Sequence, residues 1–199
     1  MARISAAAAV IALIVLAALH LVSPEFNPAW RMVSEYALGH YSWLLAVMFL
    51  TWAASCVALS FALRPHIRSR GGKIGLVFLL AATVSLIMAA KYDVSQSLHA
   101  LASLIGIPSL TIAAILVSVS LSRNREWAAA RRLLLGTGNL PWVCLVLMVA
   151  TMFIGLSATG GKMGPEVPIG WPNRLCFVSW GVWLVATAWQ TNKLSRQSS

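Results

Sequence analysis

The stretch RPHIRSRGGKIGLVFLLAATVSLIMAA, residues 64–90, decides the class of fold. Its first ten residues carry Arg64, Arg68, Arg70 and Lys73, and the remaining 74–90 carry no charge at all. A half-buried soluble helix would set a polar face against its apolar stripe. An uncharged run of this length suits a helix dissolved in lipid, where every backbone N–H and C=O is satisfied inside the segment. At 17 residues it lies near the short limit for spanning a bilayer. The basic decapeptide before it is the pattern of a loop retained in the cytoplasm.

The same reading repeats outward. Apolar runs at residues 4–22, 35–63, 98–121, 133–156 and 172–190 join 74–90, giving six helices with short links. The 199 residues are 59% hydrophobic and 10% charged, where a soluble domain carries about 25% charged residues. Six helices use up the length, so the expectation is an all-α, polytopic bundle of six transmembrane helices forming one domain over 1–199. Arg3 and the apolar run after it look like a signal peptide. The run is long enough to span, however, and no A-x-A site precedes Pro24 at the right place, so it reads as an uncleaved first helix. The first turns of the second run, through His40, are expected at the interface. Ser34 is a possible cap for that run. Pro141 predicts a kink or a late start in the fifth helix. Pro172 suits the first turn of the sixth.

The net charge of +10 invites a nucleic-acid reading, but its placement argues against one. Arg3, the two basic links around residues 64–73 and 123–132, and Lys193 with Arg196 put eleven positive residues on one side, opposed only by Glu126. On the other side Arg31, Lys91, Lys162 and Arg174 balance Glu25, Glu35, Asp93 and Glu166. Basic loops stay inside, so both termini are expected to be cytoplasmic. The arginines then set topology and meet anionic headgroups. The partners this implies are membrane lipids, with another membrane protein as a second candidate, and not nucleic acid. The three cysteines all fall in apolar runs, and their odd number argues against a disulfide framework.

Candidate chemistry collects on the balanced side. Asp93 precedes the fourth helix as D-x-x-Q, which is also a capping box. Arg31 and Glu35 are spaced to pair on one helical face. His99, Ser103 and Gly106 follow at i, i+4 and i+7, a polar and small stripe starting at the outer interface. A histidine facing lipid is costly, so His99 should point into the bundle, with Asp93 or Glu35 as its partner. Both readings of these residues stay open: a satisfied structural histidine with capping acids, or a site. His20, His40 and His99 lie near one depth and make a divalent metal a minor possibility, although no metal-binding spacing occurs. No cofactor is expected.

Four short motifs carry a resemblance. They are Ser34-Glu35-Tyr36-Ala37-Leu38-Gly39, Arg70-Gly71-Gly72-Lys73, the Asp93 link into Ser97-Leu98-His99-Ala100, and Gly170-Trp171-Pro172-Asn173-Arg174. Their order resembles the bacterial and archaeal membrane family DUF998, a domain of unknown function, over nearly the whole chain. The resemblance implies a compact six-helix protein in a prokaryotic cytoplasmic (inner) membrane, with Ser34, Glu35, Asp93, His99 and Arg174 at motif positions. Asn173 stands where the pattern often shows glutamate. No activity carries over.

Three functions compete on these grounds. One is binding or transport of a lipid or amphiphilic small molecule in an outer-side pocket between the second, fourth and sixth helices, with Arg31, Ser34, Ser103 and Arg174 as binding residues. Another is a lipid-processing enzyme (hydrolase, transferase or cyclase) using His99 as acid or base with Asp93 or Glu35. The third is an accessory or assembly subunit, with small-residue patches on the third and fourth helices as partner interfaces.

Overall fold

The computed structural model describes residues 1–197. Six long helices carry the chain: α1 (Ala2–Val22), α2 (Ser42–Leu63), α3 (Arg70–Lys91), α4 (Ser97–Ser122), α5 (Arg131–Ala158) and α6 (Gly170–Gln197). Short 3-10 turns, Val33–Leu38 and Arg125–Ala130, precede α2 and α5. No strand occurs among the described residues. Each helix packs on its successor and α6 returns to α1, so the six close into a ring. Arg3 Nε donates to Asn192 Oδ1 at 3.1 Å, which places both termini at one end of the ring. The two basic links share that end, where the Asn124 amide donates to the His66 carbonyl at 2.8 Å. The opposite end is the far end of the ring.

The outside of the ring is apolar. Val143, Val146, Phe153 and Ile154 of α5 are all more than 60% exposed. Water would not tolerate so continuous an apolar face, and lipid does. By length and composition α1 to α4 and the segment Arg125–Ala158 can each cross a membrane. The helix α6 is long, at 28 residues, but is not among them. It carries buried Asn173, Arg174, Ser179, Thr187, Gln190 and Thr191. The side chains of Asn173, Arg174, Ser179 and Thr191 find partners within the protein, so α6 has less need of an apolar composition. The indole N–H groups of Trp180 and Trp183 tie it to α4, donating to Thr111 Oγ1 at 3.1 Å and to Ser118 Oγ at 2.9 Å.

The helix bounds shift from those read in the sequence for local reasons. The helix α2 starts at Ser42 instead of residue 35. The preceding residues wind into the 3-10 turn, which buries Val33 and Tyr36 and is closed when Glu35 Oε2 accepts the Met32 N–H at 2.7 Å. Ser34 lies inside that turn and caps nothing. The helix α3 starts at Arg70 instead of residue 74 because the Ser69 hydroxyl accepts the Gly72 N–H at 3.1 Å. Its 22 residues are long enough to span a bilayer. The helix α5 runs through Pro141, so it does not start late. The helix α6 extends through the polar tail to Gln197.

Small residues on α3 and α4 face each other within the chain. A Cβ on Gly75 would crowd Leu116 and Val117, and one on Gly106 would overlap Ser85. The Ser85 hydroxyl donates to the Ala102 carbonyl across the same seam. These patches are therefore used by the chain's own packing.

Candidate functional site

At the far end, the segment between α1 and α2 is clasped onto the start of α6. Gly170 has no side chain because a Cβ there would overlap the Pro28 carbonyl and crowd Ala29 and Arg31. Its N–H donates to the Ala29 carbonyl at 3.0 Å. One turn on, Arg174 is 3% exposed. Its Nε donates to His20 Nε2 at 2.6 Å and its Nη2 to the Tyr36 hydroxyl at 3.0 Å. Its Nη1 is shared among the carbonyls of Arg31 at 2.5 Å, Gly170 at 3.1 Å and Pro28 at 3.4 Å. Among the described residues it has no carboxylate partner. Asn173 completes the clasp, its Oδ1 accepting the Val33 N–H at 2.9 Å. The Gly170–Arg174 motif is thus a backbone-binding device.

Arg31 pairs with Glu35 at 2.5 Å and stacks over the Trp30 ring, 4.3 Å from its centroid. The expected i, i+4 pair forms, though not on a helix face: Arg31 precedes the 3-10 turn that carries Glu35. Asp93 closes its own turn. Its Oδ1 accepts the Ser95 N–H at 2.8 Å and the Ser95 hydroxyl, and its Oδ2 accepts the Gln96 amide at 2.9 Å. The Ser95 hydroxyl, then the Gln96 amide and the Ser95 N–H, hold its carboxyl below the usual carboxylate range. The cap of α4 is Gln96, so the D-x-x-Q sequence shapes the link rather than the helix end.

His99 is 5% exposed. Its Nδ1 lies 2.8 Å from the Tyr92 carbonyl, which fixes the proton on Nδ1. The partner of His99 is therefore a backbone oxygen, not Asp93 or Glu35. Its Nε2 is buried and has no hydrogen-bond partner among the described residues. The ring lines a cavity of about 390 Å³ that reaches from the far end into the middle of the ring. Ser34, Ser103 and Gly106 line it beside His99, and Trp52, Phe177 and Trp180 line it deeper in. Arg31, Glu35, Asp93 and Arg174 do not line it. Asp93 borders a smaller cavity of about 250 Å³, with Lys91 and Trp43.

The seven candidate residues thus separate into three groups. Ser34, His99 and Ser103 share the large cavity. Arg31 and Arg174 meet through the Arg31 carbonyl, with Glu35 on the Arg31 head. Asp93 stands apart. Of the histidines weighed for a metal, His20 gives Nε2 to Arg174 and Nδ1 to the Leu16 carbonyl at 2.7 Å, and His40 is exposed beside Tyr41. Among the described residues no three His, Cys, Asp or Glu side chains are grouped to hold a metal.

The aromatic floor went unread in the sequence. A signal existed in Trp52 and Trp180, tryptophans placed mid-helix, far from the interfaces where the ring usually sits. Trp180 and Trp183 find hydroxyl partners, whereas Trp52 Nε1 is buried without one.

A ring of apolar helices closed around a cavity with few polar groups defines a membrane-type helical protein. The chain belongs to the DUF998 family: the family model described as "Protein of unknown function (DUF998)" matches residues 6–190. Comparison with curated proteins and with solved structures gives no match.

Proposed function

We propose that this protein binds or transports a lipid or amphiphilic small molecule in the far-end cavity. The observation that carries the reading is the cavity itself. It is almost wholly apolar, large enough for part of a lipid chain, and open at an end where a few polar side chains collect. In this reading all six helices cross a prokaryotic inner membrane. The eleven basic residues at the termini end hold that end in the cytoplasm, so the cavity opens toward the outer leaflet. A catalytic role has less support, since the imidazole of His99 is oriented by a carbonyl and no carboxylate reaches it. An assembly role loses its candidate surface to the α3–α4 seam.

The test is native mass spectrometry of the protein purified in mild detergent. Wild type is expected to carry an amphiphile, and Leu86→Trp, which fills the cavity from α3, to lose it. Asp93→Ala, whose side chain lies outside the cavity, should retain it. Equal retention by wild type and Leu86→Trp would sink the proposal, and turnover of the bound lipid would favour an enzyme.

A further inference from the structure

The side chains that offer polar groups at the mouth of the cavity are uncharged. Ser34 comes from the 3-10 turn, while His99 and Ser103 sit one turn apart at the start of α4. Ser34 and Ser103 are half-buried residues. The buried Nε2 of His99 is unpaired, and with Nδ1 donating to Tyr92 the neutral ring presents a lone pair there. An unsatisfied buried acceptor is costly, so a ligand that supplies a hydrogen gains by filling it. Toward the middle of the ring the lining becomes Phe49, Trp52, Leu110, Phe177 and Trp180. From His99 to Leu110 the helix rises about 16 Å, enough to bury a good part of one hydrocarbon chain.

The charged side chains nearby, Arg31, Glu35, Asp93 and Arg174, do not line the cavity. The Arg31 head is on Glu35, Arg174 is held by five acceptors, and Asp93 closes its own turn. A charged headgroup entering this cavity would lose water and find no counter-charge in its lining.

From these placements we infer that the cavity selects an uncharged, single-chain amphiphile with a hydroxyl headgroup, such as a monoacylglycerol or a long-chain alcohol. The hydroxyl donates to His99 Nε2, Ser34 and Ser103 take its remaining hydrogen bonds, and the chain runs inward beside Trp52 and Phe177. This deepens the reading of the cavity as an amphiphile site and rests on it. It also leaves Arg31 and Arg174, named as binding residues on their sequence positions, outside the lining.

The experiment titrates the detergent-purified protein with a monoacylglycerol and with an alkyl sulfate of equal chain length, read by native mass spectrometry. Wild type should prefer the monoacylglycerol by at least about five-fold, the worth of roughly one net hydrogen bond. His99→Phe and the double variant Ser34→Ala/Ser103→Ala should each bring that ratio toward one. The double variant leaves the helix packing alone. If wild type binds the alkyl sulfate as tightly or more tightly, and Leu86→Trp loses both ligands, the headgroup inference is overturned while the cavity reading stands. If Leu86→Trp changes the binding of neither ligand, the cavity reading fails and the inference with it.

Discussion

At the scale of single residues, Arg174 organises the far end. A buried guanidinium without a carboxylate is tolerable here because five acceptors replace its water. Replacing it with alanine strands buried carbonyls, the Tyr36 hydroxyl and His20 Nε2. The expected cost is about 3 kcal/mol, read as a lower Tm in detergent and faster proteolysis between residues 23 and 34. Arg174→Lys keeps the charge but loses the planar fork, and should fall between wild type and alanine. A wild-type-like alanine variant would refute the clasp. The Gly-Trp-Pro-Asn-Arg motif stood out in the sequence, but its job did not. Its partners are mostly backbone oxygens, and any residue supplies those. His99 was legible as inward-facing from the cost of exposing an imidazole to lipid. Its partner was not, because the Tyr92 carbonyl leaves no mark in the sequence.

At the scale of elements, the apolar runs located the helices, since an uninterrupted uncharged stretch has few other outcomes. Their ends depended on local hydrogen bonds: the Ser69 cap that lengthens α3 and the Glu35–Met32 contact that keeps the turn before α2 out of that helix. Two glycines of α5 separate packing from propensity. Gly138 abuts Ser118 and the Ala114 carbonyl on α4, while Gly136 faces open space. Gly138→Ala should lower stability by about 1–3 kcal/mol through crowding at α4. Gly136→Ala should leave stability unchanged or raise it by up to about 1 kcal/mol through helix propensity. Thermal unfolding of the two variants side by side decides the matter. Equal effects would mean that the α4–α5 contact is not as close as described.

At the scale of the whole molecule, charge counting made one end basic and the other balanced, and the Arg3–Asn192 contact joins both termini at the basic end. Single reporter cysteines test the orientation: Lys162→Cys should react with an impermeant maleimide in intact cells, and Arg125→Cys only after lysis. The reverse pattern would invert the topology. The cavity itself was not legible in the sequence. Helices that are apolar on every side give no stripe to say which face turns inward, so the convergence of Trp52, Phe177 and Trp180 on His99 emerges only once the ring is closed. The central claim is that this interior holds an amphiphile. It is tested most directly by photo-crosslinking with a monoacylglycerol carrying a diazirine midway along its chain, followed by mapping of the modified peptides. The account predicts adducts on cavity residues of α4 and α6, Leu110 and Phe177 first. Adducts confined to lipid-facing residues of α5, such as Val143 and Phe153, would contradict it.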